Sequence, residues 1–498
     1  MLKRELEMSK TNETKAYKMD TNTKNVIHFF EQICKVPRGS GNEAGIREFM
    51  VNWAKENKFE NYVDQTGNLL IKVPATKGME KNPSIVLQGH MDMVCEKTPD
   101  SNHDFTKDPI KTIFEGEWLR ADNTTLGADD GVALAISMAL VTDPSVKHPD
   151  LELLFTIDEE RGLTGANGLA DGFLNGKYLI NLDSENEGVF TIGCAGGKDT
   201  HLALDLEYDE VPNDYIPFLM KIKGCTGGHS GENIHCERAN AIRVLARILQ
   251  NLAEISDIRI INIHGGTAHN AIPRDCEATF FAPVADKEEI ENLARNMAVT
   301  IKSEFIDTDP NILLVLDEGF EPEDRRAMLS WLSVKVLDFL RAIPHGVAST
   351  IKKLNLTETS SNLAIVKVVD GQLLVQTSQR SSVISRRDAI TSRVESVGRL
   401  AGAHVWSGNG YVPWRPNFDS KLVKQCQEIY EKLFKTEPKI VTIHAGLECG
   451  IIGDKHPGME MISIGPDAVD IHSPTERLYL PSVGKVYELV AAFLANLK

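Results

Sequence analysis

The pattern of hydrophobic and polar positions predicts an α/β region at the start of the chain. Apolar residues recur at helical spacing from about residue 23, again over 44–58 and over 131–141. Between and after these helices lie continuous apolar runs, which are SIVLQ (84–88), LELLFTI (151–157) and YLINL (178–182). Continuous runs of this length are typical of buried strands, and strands that alternate with helices predict a mostly parallel sheet.

The pattern changes near residue 194, where the segment THLALDLEY alternates as a half-exposed strand does. Further helices and strands follow in a similar order twice, which leaves open two similar halves, although no sequence repeat supports them. The alternation of helices with apolar strands returns after about residue 404. We therefore expect an α/β fold whose first domain, residues 22–193 and 404–498, is interrupted by an inserted α+β domain over 194–403. The polar residues 1–21 are expected to be a disordered extension.

Length, charge and cysteine content narrow the classes of protein. A chain of 498 residues is long enough for two domains. Its formal net charge of −17 argues against binding nucleic acid or an anionic membrane surface. The eight cysteines are scattered without a C-x-x-C pair, and no signal-peptide core or apolar run of about 18 residues is present. These features predict a cytoplasmic protein with reduced thiols.

Candidate metal ligands follow the predicted strands directly. His90 comes immediately after SIVLQG, and Asp92 lies two residues further, so an extended chain places both side chains on one side. His90 could bind zinc while Asp92 orients its imidazole through the second ring nitrogen. The alternative is a chance pair in a loop.

Carboxylates cluster at two further positions. Asp129 and Asp130 precede a helix, where one carboxylate could bridge two cations, although simple helix capping is the alternative. Residues 158–160 (Asp-Glu-Glu) follow the strand LELLFTI, where they form either a solvated loop or a functional group. In the functional interpretation Glu160 binds metal and Glu159 is the general base.

Asp183 ends the next strand, and His472 lies in the segment DIHSP near the end of the chain. Each has an ordinary alternative, a turn residue or a surface histidine. Together with His90, Asp129 and Glu160 they make five ligands, enough for two metal ions if one carboxylate bridges them. One imidazole and several carboxylate oxygens for each ion suit zinc, with cobalt or manganese as alternatives.

The motifs LQGHMDMVCEK, LGADDGVALA, DEERGLTGA, NLDSE and DIHSPTERL together resemble the aminoacylhistidine (Xaa-His) dipeptidases of the two-zinc aminoacylase, carboxypeptidase and dipeptidase superfamily. The resemblance extends from about residue 22 to the end of the chain. It implies His90 and Asp183 on one zinc, Glu160 and His472 on the other, and Asp129 between them. It also implies that Asp92 orients His90, that Glu159 is the base and that the Asp129–Asp130 bond is cis.

The resemblance further implies that the inserted domain is a lid that contacts a small peptide substrate. The matching positions in the lid are His229 in GGHSG, Asn270 in HNAIP and Arg380 in SQRSS, and Gly446 in HAGLECG of the final segment matches a backbone contact to the substrate. It implies hydrolysis of Xaa-His dipeptides and a homodimer. An N-acyl amino acid amidohydrolase or carboxypeptidase with the same metal site remains the alternative. A binding protein that has lost catalysis is disfavoured, because Glu159 and all five ligands are present.

Overall fold

The computed structural model describes residues 17–317, 322 and 324–498 of the chain. They form two compact units. Unit 1 comprises the chain up to Gly193 with Pro416–Thr442 and Leu447–Lys498, and unit 2 comprises Cys194–Arg415 and Ile443–Gly446. Unit 2 extends past the predicted limit at residue 403, because Cys194 and Trp414 exchange backbone hydrogen bonds of 2.9 and 3.1 Å that keep this segment on its sheet.

The predicted disordered extension lies mostly outside the described residues, which begin at Tyr17. The described residues 17–21 make contacts with the rest of unit 1. Tyr17 and Met19 pack against the core of unit 1. Asp20 caps the first helix, since its side chain accepts a hydrogen bond of 2.8 Å from the backbone N–H of Thr23.

The described residues contain the following helices and strands. The helices are α1 (Thr21–Ile33), α2 (Ala44–Glu56), α3 (Ala128–Thr142), α4 (Thr164–Gly168), α5 (Ala241–Ala253), α6 (Lys287–Glu304), α7 (Ser330–Ala342), α8 (Ile384–Ala401), α9 (Lys421–Phe434), α10 (Glu448–Lys455) and α11 (Leu480–Asn496). The strands are β1 (Glu60–Val63), β2 (Leu69–Val73), β3 (Ile85–His90), β4 (Thr112–Glu115), β5 (Trp118–Ala121), β6 (Leu151–Thr156), β7 (Tyr178–Asn181), β8 (Val189–Cys194), β9 (Gly196–Asp205), β10 (Tyr208–Glu210), β11 (Tyr215–Lys223), β12 (Gly228–His229), β13 (Arg259–Gly265), β14 (Ala271–Ile272), β15 (Cys276–Pro283), β16 (Leu313–Asp317), β17 (Arg326–Met328), β18 (Gly346–Ile351), β19 (Leu356–Val369), β20 (Gln372–Ser381), β21 (His404–Ser407), β22 (Lys439–Ile443), β23 (Glu460–Ser463), β24 (Ala468–Val469) and β25 (Arg477–Tyr479).

Unit 1 is built on an eight-stranded sheet with the order β1-β2-β6-β3-β7-β23-β8-β22. The central strands β6, β3, β7 and β23 are parallel, as the continuous apolar runs predicted. The pairings β1–β2, β2–β6 and β23–β8 are antiparallel, so the sheet is mixed. β3 and β6 are buried along their whole length, and α3 is buried on nearly every side, which explains why both are apolar throughout.

Unit 2 contains helices and a second sheet, whose strand order is β16-β11-β15-β13-β19-β20-β9-β21, with β18 beside β19. The strand pairs of this sheet are antiparallel. Its first half runs β11-α5-β13-β15-α6-β16, and its second half runs β9-α7-β19-β20-α8-β21. Within each half the first strand lies between the third and the fourth. The halves therefore share one topology and meet at β13 and β19, although the sequence shows no repeat.

Two small sheets place loops that matter for the sites below. In unit 1, β24-β25-β5-β4 holds the turn that carries His472. In unit 2, β12 pairs with β14, which brings His229 opposite Ala271. The eight cysteines are all free thiols. In the part of the chain that the structure describes, no helix has both the length and the hydropathy needed to cross a bilayer.

Candidate active site

Three adjacent parallel strands of unit 1 end at the same edge of the sheet, and each delivers a candidate ligand there. β3 ends at His90, β6 is followed by Glu159 and Glu160, and β7 by Asp183. Because β3 lies between β6 and β7, the side chains converge. The His90 Nε2 atom is 3.5 Å from Asp183 Oδ1. Ligand-type atoms of His90, Glu159 and Glu160 all lie within 4.8 Å of one another.

Asp129 stands between the two histidines, and each of its oxygens faces a different imidazole. Its Oδ1 is 2.9 Å from His90 Nε2, and its Oδ2 is 3.0 Å from His472 Nε2. His472 Nε2 also lies 3.1 Å from Glu160 Oε2. The geometry is that of a bridging carboxylate between a His90–Asp183 site and a His472–Glu160 site. The Asp129–Asp130 peptide bond is cis, as predicted.

Asp92 supports both halves of this centre. One of its oxygens lies 3.4 Å from His90 Nδ1. The same carboxylate accepts backbone hydrogen bonds from Glu159 at 3.0 Å and Glu160 at 3.3 Å, and a hydroxyl hydrogen bond from Ser40 at 2.7 Å. Asp92 therefore holds the Glu159–Glu160 backbone by hydrogen bonds, and its carboxylate lies next to the His90 ring, whose Nδ1 has no hydrogen-bond partner among the described residues. Asp158, which precedes them, has a positive φ of 52° that turns the chain after β6.

The carboxylates strongly affect one another and the imidazoles. Hydrogen bonds to Asp129 and Glu160 raise the pKa of His472 to about 11. Burial lowers the pKa of His90, but the hydrogen bonds to Asp129 and Asp183 outweigh burial and raise it well above its usual value. Burial raises the pKa of Glu159 well above the normal range and that of Asp183 to about 6. The centre thus holds more acidic groups than its two imidazoles can balance.

The donor set fits two divalent cations. The buried Oε1 of Glu160 has no hydrogen-bond partner among the described residues, while its Oε2 lies 3.1 Å from His472 Nε2. Two imidazoles, two terminal carboxylates and a carboxylate facing both sides are the ligands that zinc-type ions take. The bound charge of two cations would also stabilise acids that are buried close together.

Two residues that the motif interpretation did not single out hold the Asp129 turn. The carboxylate of Glu476 accepts backbone hydrogen bonds from Leu126, Gly127 and Ala128 at 2.7, 3.0 and 2.8 Å. Arg38 is only 2% exposed, and its guanidinium donates to the carbonyls of Asp92 and Gly127. Both residues lie in the segments PRGSG and PTERL, but no local pattern in the sequence shows partners so distant along the chain.

A buried polar network lies beneath the ligands in unit 1. Glu448, which begins α10, is fully buried and accepts hydrogen bonds of 2.6 Å from both Gln88 and Thr156. Gln88 in turn accepts one of 2.6 Å from Asn181. Gln88 and Asn181 lie two residues before His90 and Asp183, on the same side of their strands. The network therefore joins β3, β6 and β7 just below their ends.

His229 of unit 2 is arranged as a neutral hydrogen-bond donor. The backbone N–H of Glu232 donates to its Nδ1 at 3.3 Å, which leaves the hydrogen on Nε2. Burial, and then the charge of Arg380, lower the pKa of His229 to about 4. Asn270 lies beside this strand, since its carbonyl accepts a hydrogen bond of 2.7 Å from the backbone N–H of Ser230, and its side chain is exposed.

Arg380 and Gly446 meet at one aromatic ring. Arg380 is 6% exposed and donates to the Tyr411 hydroxyl at 2.8 Å, while its buried Nε has no partner among the described residues. A Cβ atom on Gly446 would lie 2.9 Å from the Tyr411 ring, so only glycine fits there. His444 completes the group, with its Nε2 atom 2.7 Å from the Ser360 hydroxyl. No pattern in the sequence indicated Tyr411 or His444 as members of this group.

The fold and the unit 1 centre define a class, the metal-dependent hydrolases with a two-ion site at the end of a parallel sheet. Comparison with known proteins agrees. The chain is 40% identical over 471 residues to the cytosol non-specific dipeptidase of Escherichia coli (strain K12), covering 94% of this chain and 96% of that protein. The crystal structure of aminoacylhistidine dipeptidase from Vibrio alginolyticus matches 97% of this chain and 98% of that one, with 35% identity and a TM-score of 0.87.

The chain belongs to the family of these two proteins, within the M20 metallopeptidases, so the resemblance found in the sequence is confirmed. M20 peptidases bind two metal ions. A profile described as the peptidase dimerisation domain matches residues 220–309, most of the first half of unit 2. The structure of aminopeptidase PepT from Bacillus cereus ATCC 10987 has the same fold at a TM-score of 0.56 and 16% identity, over 96% of this chain and 98% of that one.

Proposed function

We propose that this protein hydrolyses dipeptides, Xaa-His dipeptides among them, with two zinc ions in the centre of unit 1. The observation that carries the proposal is Asp129, whose two oxygens face His90 and His472 separately. The names of the relatives from Escherichia coli and Vibrio alginolyticus support a dipeptide substrate. The donor set of imidazoles and carboxylates supports zinc, with cobalt or manganese as alternatives.

Two bound cations would polarise the peptide carbonyl and lower the pKa of a water molecule. In this proposal Glu159 is the general base, which takes a proton from the water and passes it to the leaving amine. Burial raises the pKa of Glu159, which suits a group that must both accept and release a proton. Asp92 keeps Glu159 in place through its backbone N–H, at 3.0 Å, while it orients His90.

We further propose that the substrate is positioned by His229, Asn270, Arg380 and Gly446. His229 is neutral and carries its hydrogen on Nε2, so it can donate to the oxygen that becomes negative in the transition state. Arg380 has a buried, unpartnered Nε, and its planar group suits the terminal carboxylate of a dipeptide. A contact of Arg380 with this carboxylate would favour substrates with a free C-terminus at this position.

The experiment is an assay of purified enzyme against dipeptides, tripeptides and N-acetyl amino acids, with zinc and after chelation. We expect Xaa-His and other dipeptides to be cleaved, tripeptides to be poor substrates, and chelation to abolish all turnover. Faster cleavage of N-acetyl amino acids than of dipeptides would favour the alternative, an N-acyl amino acid amidohydrolase. Release of C-terminal residues from longer peptides would favour a carboxypeptidase.

We also propose a cytoplasmic homodimer. The name of the Escherichia coli relative supports the location, and the match of residues 220–309 to a peptidase dimerisation domain supports the dimer. Sedimentation equilibrium over a wide concentration range tests the second point. A single species with the mass of one 55.1 kDa chain at every concentration would contradict it.

A further inference from the structure

Unit 2 contains a cavity of about 420 Å³ at one end of its helix layer, and its walls are unusually basic. Four arginines line it, Arg238, Arg243, Arg247 and Arg341, together with His345. A second cavity of about 280 Å³ shares Arg243, Arg341 and His345 with the first. Such a concentration of positive charge is unexpected in a chain whose formal net charge is −17. None of these residues belongs to the sites described above.

Within the described residues the positive charge is only partly balanced. Arg247 pairs with Glu304 through two hydrogen bonds of 2.6 and 2.8 Å. Arg243 donates only to the carbonyl of Ile343, at 2.8 Å, and Arg341 has no hydrogen bond or ion pair with any described residue. Among the residues that the structure describes, the only carboxylate that lines either cavity is the exposed Glu237. Two guanidinium groups therefore face the shared part of the cavities without a counter-ion.

The position of Arg243 makes this arrangement costly without a ligand. Arg243 lies in the first turn of α5, where the helix dipole is positive and disfavours a cation. Arg341 lies in the last turn of α7, where a cation is favoured. Burial and the nearby charge of Arg341 both lower the pKa of Arg243. An anion between the two guanidinium groups would remove this repulsion.

The remaining lining suggests the chemistry of the anion. The Nδ1 atom of His345 accepts a hydrogen bond of 3.3 Å from the backbone N–H of Leu363, which leaves its Nε2 as a donor. Val244, Ile272 and Phe305 form an apolar part of the larger cavity. Its volume is within the range of small-molecule sites, about 300 to 1,000 Å³. We propose that the cavity between α5 and α7 binds a small organic phosphate, with the phosphate dianion on Arg243 and Arg341 and an apolar group against Phe305.

The test is calorimetric titration of phenyl phosphate into the zinc-loaded full-length protein in a buffer free of phosphate and sulfate. We expect saturable binding that weakens at least about tenfold in Arg341→Gln, since a charge-assisted contact is lost. The matched control is Arg399→Gln, because Arg399 also lies in the last turn of a helix, α8, and should leave binding unchanged. An equal loss in both variants, or no saturable binding by the normal protein, would overturn the proposal.

Two further arms test whether the probe binds at the metal centre and whether the cavity prefers a different anion. His472→Ala, which removes a ligand of the unit 1 centre, should leave phenyl phosphate binding intact; loss of binding there would mean that the probe binds the metal centre. Phenyl sulfonate carries the same ring with one charge and should bind more weakly. Succinate carries two charges on carboxylates, and tighter binding of succinate than of phenyl phosphate would assign the cavity to dicarboxylates and refute a phosphate site.

Thermal unfolding gives a readout that a structural role would not produce. Without ligand, Arg341→Gln should unfold at the same temperature as the normal protein or a higher one, because a like charge beside Arg243 has been removed. Phenyl phosphate should raise the midpoint of the normal protein and of Arg399→Gln, but not that of Arg341→Gln. A variant that unfolds at a lower temperature yet keeps the full ligand-induced rise would show that Arg341 only supports the fold.

Discussion

His472 of the unit 1 centre and the pair His229 and His444 of unit 2 have pKa values that are shifted in opposite directions. In unit 1 the carboxylates of Asp129 and Glu160 raise the pKa of His472 to about 11. In unit 2 burial, followed by the charge of Arg380, lowers the pKa of His229 to about 4 and that of His444 to about 3. The imidazole of His472 thus lies among carboxylates, whereas those of His229 and His444 are buried and lie near Arg380.

This difference in surroundings indicates which kind of ligand each unit can bind. A centre that gathers carboxylates around imidazoles attracts cations, and it is stable as a group only when cations balance it. A centre that gathers arginine, tyrosine and neutral histidines presents donors without a negative charge, so it suits a carboxylate or a developing oxyanion. Variants in each unit can test this division.

Removing the bridging carboxylate should destroy the cation-binding character of unit 1. We expect elemental analysis of zinc-saturated protein to give two metal ions per chain. Asp129→Ala should lose most of both ions and all measurable turnover, because Asp129 faces both His90 and His472. His472→Ala should keep one ion, held on the His90–Asp183 side. A stoichiometry of one in the normal protein would contradict the bridged arrangement.

Changing the base should separate metal binding from catalysis. Glu159→Gln keeps the shape of the side chain but removes its ability to accept a proton, so metal content should stay normal while kcat falls roughly a hundredfold or more. The matched control is Asp158→Asn, because Asp158 pairs with Arg161 and hydrogen bonds to Thr164. Near-normal kcat in Glu159→Gln would assign the base elsewhere, and an equal loss in both variants would indicate a structural effect.

The contrast between the units also explains how much the sequence could predict. The unit 1 ligands follow β3, β6 and β7 directly, and parallel strands that end at one edge bring such residues together. His90, Glu160 and Asp183 could therefore be grouped from the positions of the apolar runs alone. Asp129 and His472 were predicted as ligands mainly from the family motifs. No local sequence rule shows where a helix start or a hairpin turn lies in space.

The residues of unit 2 could not be derived in the same way. Arg380 lies inside β20, and its partner Tyr411 comes from a segment that the sequence pattern assigned to the other domain. β20 pairs with β9 so that Arg380 lies opposite Gly197, and Gly197 also forms an isolated bridge with Tyr411. These two pairings bring Arg380 and Tyr411 together. The recurring order of elements left open two similar halves, but it could not show their limits, because the second half begins with β9 and resumes only at α7, after the whole first half.

A smaller effect should follow from the proposed carboxylate contact in unit 2. Arg380→Ala should reduce kcat/KM for dipeptides by tens to hundreds of fold, which corresponds to roughly 2 to 4 kcal/mol. A dipeptide amide lacks the terminal carboxylate, so it should be a poor substrate for the normal enzyme and lose little more in the variant. The measurement compares kcat/KM of the normal enzyme and of Arg380→Ala for the dipeptide and for its amide.

The matched control for this comparison is Arg387→Ala. Arg387 is also buried, at 5% exposed, and it donates to the backbone carbonyl of Tyr411 rather than to the hydroxyl. We expect its loss to affect both substrates equally. If Arg380→Ala likewise affects the dipeptide and its amide to the same extent, Arg380 supports the fold, and the carboxylate contact must be sought at Arg386 or Arg274.

The smallest effect concerns the pH dependence of stability, and it tests the lowered pKa in unit 2 directly. His444 has a pKa of about 3 in the folded protein because it is buried near Arg380, whereas an unfolded histidine titrates near 6.5. Between these values the unfolded chain binds a proton that the folded protein does not. Stability present above about pH 6.5 is therefore lost as the pH falls, by about 1 kcal/mol at pH 5.5.

His444→Gln should remove this contribution, so its free energy of unfolding should fall less steeply between pH 7.5 and 5.5 than that of the normal protein, by about 1 kcal/mol over that range. Denaturant unfolding of metal-depleted protein measures it, and taking the difference at each pH cancels the titration of unit 1, which both proteins share. Ser360→Ala is the control, because it removes the hydroxyl 2.7 Å from the imidazole but keeps the titrating group. That variant should be less stable at every pH, with the slope of the normal protein. Equal slopes for His444→Gln and the normal protein would mean that folding does not lower the pKa of His444. The contrast in pKa between His472 and the buried histidines of unit 2 would then not hold for His444.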